Sequence, residues 1–335
     1  MPIRVLHVGL GPIGAGIVRQ VATRPGLKVA GAVDLDPAKV GRDLGEIVGL
    51  DRRLRVRVAP ELRAALKACR PDVAVLCTSS SLAKVMPQLE AALAARVPVV
   101  STTEELAYPQ YARKRLATRI DALARRAKVA VVGTGVNPGF AMDALPIVLT
   151  AVCERVDAIV VNRVQDARTR RLPFQQKIGC GLSRAEFEVR VAEGTVRHVG
   201  LTESIAMIAD AMGWKLERVT DDIAPKLAGT RVSSPFLSVE AGRVCGLIQD
   251  GVGYVRGRPL VRLHMEAYLG APESFDSVEV EGHPPLSMKI AGGVPGDVAT
   301  AAIAVNSIPR VLGASPGLHT MRSLPVPSWF GGRLR

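Results

Sequence analysis

Aromatic side chains are scarce, 4% of the 335 residues with two Trp, four Tyr and six Phe. That is too few for the stacking platforms on which proteins hold single-stranded nucleic acid. No apolar run approaches the roughly 18 to 20 residues of a membrane span. The first residues lead straight into a strand and a glycine loop, so no secretory signal is expected. The five cysteines (Cys69, Cys77, Cys153, Cys180 and Cys245) are an odd number at wide spacing, with no C-x-x-C pair. Lacking also a His partner at metal spacing, they fit neither a disulfide framework nor a zinc site, so no metal is expected. A reducing, cytoplasmic compartment suits them. There is no internal repeat, low-complexity stretch, recognition helix or finger motif, so neither a nucleic acid nor a membrane is expected as a partner.

Basic residues are abundant, with 44 Lys+Arg against 31 Asp+Glu and a formal charge of +13. The surplus is uneven: residues 1–145 hold 22 Lys+Arg against 12 Asp+Glu, while residues 146–335 hold 22 against 19. Two clusters stand out in the first half, Arg52, Arg53, Arg55 and Arg57, and the segment with Arg113, Lys114, Arg115, Arg119, Arg125, Arg126 and Lys128. The second is helical in period, with Leu116, Ile120 and Leu123 on its apolar side, and reads as a solvated face. A positive field of this kind also favours anionic cofactors and substrates.

Short apolar runs alternate with amphipathic stretches through the first half, the pattern of βαβ units and a parallel sheet. Strands are expected at Ile3–Val8, Lys28–Asp34, Val73–Cys77, Val97–Ser101 and Val129–Gly133. Helices are expected at Gly14–Thr23, Pro60–Ala68, Ser81–Ala95 and Gln110–Ala127. After the breaker Asn137-Pro138-Gly139 and an apolar helix near Met142–Val152 the composition changes. Strands are then expected at Ala158–Val164, Glu240–Ile248, Val261–Tyr268 and Val278–Glu281, around a helix at Ser204–Met212. The fold class is α/β: an N-terminal doubly wound parallel sheet and a second α+β domain on a mixed sheet. The expected boundaries are residues 1–145 for the dinucleotide domain and 146–296 for a substrate and dimerisation domain. Residues 297–335 are expected to form a C-terminal helix and tail that pack back toward the first domain.

The strongest local signal is Gly9-Leu10-Gly11-Pro12-Ile13-Gly14, between a strand and a helix. Gly9 permits the tight turn, Gly11 lets the backbone approach a pyrophosphate, Gly14 allows close helix packing, and the helix start offers N–H donors to phosphate. Asp34 follows Gly14 by 20 residues at the end of the second strand, where an acidic side chain accepts bonds from the adenosine ribose. The expected cofactor is NAD, since the Asp34 charge repels a 2′-phosphate; Lys39 and Arg42 leave NADP open. Thr78 and Ser79 end the third strand at the carboxyl edge of the sheet, the ligand edge of such folds. Capping of the following helix explains Ser79 or Ser80 equally well.

Ser101-Thr102-Thr103-Glu104-Glu105 ends the next strand on that same edge. A carboxylate there can move protons to and from an amine, a hydroxyl or water while hydride passes to a nicotinamide ring. Ser101 to Glu104 and Thr102 to Glu105 also have capping-box spacing, and spacing does not decide between the two readings.

GLGPIG, STTEELAYP, GVNPGF (residues 135–140), DARTRRLPFQQKIGCGLSRAEF (166–187), HVGLTES (198–204) and GDVATAAIAVNSIPRVLGASPGLHTM together resemble 2,4-diaminopentanoate dehydrogenases and the related native NAD(P)-dependent amine dehydrogenases, over nearly the whole chain. The resemblance implies a Rossmann domain followed by a dihydrodipicolinate-reductase-like domain, with a homodimer as the usual assembly. It implies that the acid/base is Glu104 first and Glu105 second, and that Asn137, Pro138 and Phe140 wall the nicotinamide. An Asn-Pro-Gly turn also needs those residues for backbone reasons. Members that take simple ketones tend to place an aromatic where this chain has Asp166, Arg168, Arg170 and Arg171. The departure favours a substrate with a carboxylate, gripped by Arg168 and Arg171, which otherwise read as surface ion pairs. His198 is a further substrate candidate, though a lone histidine before a helix is commonly structural.

The implied activity is NAD(P)-dependent oxidative deamination of an amine or diamino acid, and the reverse reductive amination of a ketone with ammonia. The alternatives are an alcohol or semialdehyde dehydrogenase, and a non-catalytic NAD-sensing protein.

Overall fold

The computed structural model describes residues 1–332, which form two compact units: Met1–Phe140 with the segment from Pro295 onward, and Ala141–Val294.

The first unit is built on seven strands: Ile3–Val8 (β1), Leu27–Val33 (β2), Val58–Ala59 (β3), Val73–Leu76 (β4), Val99–Ser101 (β5), Ala130–Gly133 (β6) and, near the C-terminus, Gly317–His319 (β15). Their order is β15-β6-β5-β4-β1-β2-β3, with every pairing parallel. This is the doubly wound Rossmann arrangement, with the order reversing between β1 and β4, the kind of switch point at whose carboxyl ends such folds bind ligands. β4 and β6 read VAVL and AVVG and are buried throughout, as strands covered on both faces must be. One core of Leu6, Val8, Leu76, Leu82, Leu89, Leu106, Ile120 and Val131 unites strands and helices. The C-terminal helix Gly296–Leu312 lies on the first helix, Pro12–Thr23, where a Cβ on Gly16 would stand 3.4 Å from Ala301 Cβ.

Helices over Leu62–Cys69 and Leu82–Ala94 fall where periodicity places them. The stretch expected as one helix from Gln110 is two, Pro109–Ala112 and Lys114–Ala127, joined at Arg113. β15 was not expected; three residues carry too little pattern.

The second unit holds a six-stranded mixed sheet. Its strands are Arg155–Asp166 (β7), Arg218–Leu227 (β8), Val244–Val255 (β11), Arg258–Tyr268 (β12), Phe275–His283 (β13) and Leu286–Ala291 (β14), in the order β14-β13-β7-β12-β11-β8. Val232–Ser233 (β9) and Ser238–Val239 (β10) make a small separate ribbon. Only β7 and β12 run parallel; the other pairings of the sheet are antiparallel. Helix Leu201–Ala211 covers the sheet: Ile205 and Leu201 press on Gly251 and Gly253, where a Cβ would come within 2.7 Å of Ile205.

β8, β14 and the capping-box helix Arg184–Ala192 escape sequence reading. β8 carries TDDIAPK, whose charges and proline mask an edge strand. Among the described residues no helix is long and apolar enough to cross a membrane.

Candidate active site

β1 ends at Val8, and the chain turns at Gly9, whose φ of +88 is left-handed. A Cβ on Gly9 would lie 2.7 Å from the Cys77 carbonyl oxygen, and one on Gly14 only 2.0 Å from the Gly9 carbonyl oxygen. Both glycines are required by the protein itself. Gly11 is different: nothing lies within 4 Å of the place its Cβ would take. That open cradle faces the start of a twelve-residue helix with Pro12 in its first turn and no side chain capping its N–H groups. Uncapped donors beside an open glycine are what a pyrophosphate needs. Ile13 sits in the same first turn, half-buried.

Asp34 closes the loop. Its carboxylate accepts the Leu10 N–H at 2.7 Å and the Asp36 N–H at 2.9 Å, and the Lys39 ammonium lies 3.3 Å away. Partial burial pushes this carboxyl upward, but the two N–H bonds and Lys39 outweigh it and hold Asp34 below the ordinary carboxylate range. Three of roughly four lone-pair sites are used, which leaves one for an incoming hydroxyl. Lys39 also stands 3.3 Å from Asp36, so one ammonium answers two carboxylates.

At the end of β4 the Thr78 hydroxyl donates to Gln88 Oε1 at 2.6 Å, and Ser79 Oγ accepts the Ser81 N–H at 3.2 Å. Ser79 thus shapes the approach to the next helix.

After β5, residues Glu104–Leu106 form a single 3₁₀ turn. It lies so close to β6 that a Cβ on Gly133 would meet the Leu106 backbone at 2.4 Å. The adjacent carboxylates have different fates. Glu105 accepts the Leu82 N–H at 2.7 Å, the start of the Leu82–Ala94 helix, and pairs with Arg113 at 2.8 Å. The Glu104 carboxylate makes no hydrogen bond or ion pair among the described residues, and the residue is half-buried. Its charge reaches Cys77, whose thiol is pushed up to about 12, first by burial and then by Glu104, against a hydrogen bond from Thr102. Cys77 therefore stays a protonated, inert thiol. Neither capping box forms: Ser101 Oγ takes the Thr103 N–H, and Thr102 turns to Cys77.

Beyond β6, the Asn137–Pro138 peptide is cis and Gly139 has a φ of +123. A Cβ there would lie 2.4 Å from the Gly135 nitrogen, which explains the glycine. Phe140 ends this loop, half-buried.

In the second unit, Asp166 caps the short turn Ala167–Thr169 and binds Arg168 at 2.6 Å. The Arg168 side chain is half-exposed and committed to that pair. Arg171 begins helix Leu172–Lys177, half-buried. The His198 backbone is clamped by the fully buried Gln249, whose Oε1 accepts the His198 N–H at 2.9 Å and whose Nε2 donates to the His198 carbonyl at 3.1 Å. His198 Nε2 is buried and has no hydrogen-bond partner among the described residues. Burial, and then the charges of Lys177, Arg163, Arg197 and Arg170, bring its pKa down to about 3, so the ring is neutral at pH 7.

Sequence reasoning missed Gln249 and the buried ion pair of Arg163 with Asp276, both side chains being 2% exposed. A signal for the pair existed. Ile159, Val161, Arg163 and Gln165 share the buried face of β7, and a charge on such a face needs a partner.

Residues 140–335 match the family model "2,4-diaminopentanoate dehydrogenase C-terminal domain", and residues 3–125 match the dihydrodipicolinate reductase N-terminus. The chain is 34% identical to 2,4-diaminopentanoate dehydrogenase of Acetoanaerobium sticklandii over 99% of its own length and 96% of the relative's. The chain belongs to the 2,4-diaminopentanoate dehydrogenase family. It is an enzyme, an oxidoreductase that uses a nicotinamide cofactor. An amine dehydrogenase of Streptomyces virginiae is 24% identical over 96% of each chain. The solved amine dehydrogenase of Mycobacterium smegmatis shares the fold with a TM-score of 0.88, at 24% identity, over 99% of this chain and 98% of that one.

Proposed function

We propose that this member of the family is an NAD-dependent amine dehydrogenase, which deaminates an amine or diamino acid such as 2,4-diaminopentanoate and runs the reverse reductive amination with ammonia. The observation that carries this reading is Glu104, a carboxylate without a partner among the described residues. It sits on the sheet edge that also bears the open Gly11 cradle, in a chain 34% identical to 2,4-diaminopentanoate dehydrogenase.

The residues fit the cofactor. Gly9, Gly11, Pro12, Ile13 and Gly14 would receive the pyrophosphate and Asp34 the adenosine ribose, with Lys39, Thr78, Ser79 and Asn137 lining the remainder. When bound, the nicotinamide takes a hydride from the amine-bearing carbon or returns it. Asp34 and Asp36 together exceed the charge of Lys39, so NAD is preferred over NADP.

Glu104 takes the proton released by the substrate amine. After passing that proton to solvent, the carboxylate takes a proton from the water that adds to the imine carbon and returns it to the departing ammonia, while the proton left on the carbinol oxygen goes to solvent as the ketone forms. Glu105, held by Leu82 and Arg113, anchors the turn. In the second unit, neutral His198 in a field of four cations, together with Arg171, suits a substrate carboxylate; Phe140 is an apolar contact. Arg168, bound to Asp166, is the weakest of the proposed contacts. The five free thiols fit a cytoplasmic enzyme, and a homodimer is the assembly we propose.

The test is NADH oxidation by 2-amino-4-oxopentanoate and by small ketones, with and without ammonia. Turnover that requires ammonia is expected. Turnover independent of ammonia would identify an alcohol or semialdehyde dehydrogenase instead, and a sizing measurement reads the dimer.

A further inference from the structure

Thr103 opens the turn that carries Glu104, the position from which a threonine ordinarily caps the N–H groups of its own turn. It makes no such bond. Its hydroxyl reaches backward, donating to the Ser79 carbonyl at 2.8 Å and lying 3.0 Å from Ser101 Oγ. Ser101 Oγ is 3.1 Å from the Leu76 carbonyl and accepts the Thr103 N–H at 3.2 Å. Both side chains are buried, at 0% and 1% exposure. The main chain adds three bonds: Thr102 N–H to the Leu76 carbonyl at 3.0 Å, Glu105 N–H to the Ser80 carbonyl at 3.3 Å, and Thr134 N–H to the Ser101 carbonyl at 2.8 Å.

A valine would fill the space of Thr103 and an alanine most of that of Ser101, without burying hydroxyls. A buried hydroxyl pair gains little net stability over such replacements, but once every member is bonded it fixes geometry. What it fixes here is the loop after β4, residues 77–81, and the turn 104–106, which become one body. None of these bonds touches the Glu104 carboxylate, so that side chain takes its place from the turn alone.

We propose that Thr103, acting through the Ser79 carbonyl and Ser101, is the positioning residue that sets the Glu104 carboxylate relative to the β4 loop. The proposal rests on Glu104 as the acid/base. Misplacing a reacting group by about 1 Å costs on the order of a hundredfold in rate.

The test compares Thr103→Val, Thr103→Ser and Glu104→Gln in the full-length enzyme. It reads kcat and KM for 2-amino-4-oxopentanoate with ammonia, and amide hydrogen exchange across residues 101–107 without cofactor or substrate. Thr103→Val is expected to lower kcat about 30-fold with KM changed less than about threefold, and to speed exchange in that segment. Thr103→Ser, which keeps the hydroxyl, is expected to restore kcat to within about threefold and slow exchange again. Wild-type kcat in Thr103→Val, unchanged exchange, or a loss that serine does not repair would overturn the proposal. Full turnover in Glu104→Gln would instead overturn the acid/base reading, while the exchange result still reports on the network. Should Thr103→Val not fold, Ser101→Ala is read by the same two measurements, with about a tenfold loss of kcat expected.

Discussion

The carboxyl edge of the parallel sheet and the charged interior of the second unit solve opposite problems. On the sheet edge, polar groups are satisfied by backbone and by glycines that let segments approach, and one carboxylate, Glu104, is left without a partner among the described residues. In the second unit, side chains bond one another, Arg163 with Asp276 and Gln249 with Asp221 and the His198 backbone, while His198 Nε2 and Arg197 Nε are buried without a hydrogen-bond partner among the described residues. A buried polar group left alone costs about 1–3 kcal/mol, which a ligand atom that bonds it can recover. The environments also differ in what they can do. Glu104 is half-exposed, whereas the His198 ring is held neutral among cations.

The largest effect expected on the first side of this comparison is at the glycines. Gly14→Ala places a methyl 2.0 Å from a backbone oxygen and should abolish folding or NADH binding. Gly11→Ala meets no protein atom within 4 Å, so the melting temperature should stay within about 2 °C while NADH affinity falls roughly tenfold or more in a fluorescence titration. Equal loss of folding in both variants would mean that the Gly11 cradle is structural.

Next, the neighbouring carboxylates should separate. Glu104→Gln should lower kcat by about a hundredfold or more and leave melting unchanged. Glu105→Gln should keep far more activity but melt lower, by about 1–3 kcal/mol, since it weakens the bonds to Leu82 and Arg113. On the second side, His198→Ala should raise KM for a carboxylate-bearing substrate about tenfold and leave KM for small ketones within about twofold. Equal effects on both would remove the anion-binding role.

A separate effect is in the pH dependence of stability. His7, 1% exposed, and His198 both have their pKa lowered from 6.5 to about 3 by burial. Above pH 6.5 both states hold these rings neutral. Below it the unfolded chain takes up protons that the folded chain refuses until about pH 3, so stability falls through that window by about 1 kcal/mol per unit for each ring. His7→Leu should flatten that acid limb in denaturant titrations, and an unchanged limb would remove His7 from the explanation.

The first sheet was legible because backbone geometry dictates residue type: Gly9 and Gly14 admit nothing larger, and strands covered on both faces must be apolar. Which of Glu104 and Glu105 is free was not legible. The two share one local spacing, and only tertiary partners, Leu82 and Arg113, tell them apart. Thr103 was hidden for the same reason, since a threonine before a turn reads as a cap and only the fold shows its hydroxyl pointing back to Ser79. In the second unit the edge strand β8 carries charges and a proline that imitate a loop, and Gln249 in β11 differs from an ordinary strand residue only by its burial.

The most direct test of Glu104 as the proton carrier is chemical rescue. With saturating 2-amino-4-oxopentanoate, ammonia and NADH, Glu104→Ala should be nearly inactive and should regain turnover in proportion to added formate, while Glu105→Ala gains nothing. Glu104→Ala that turns over without formate, or formate that rescues Glu105→Ala alone, would contradict the assignment.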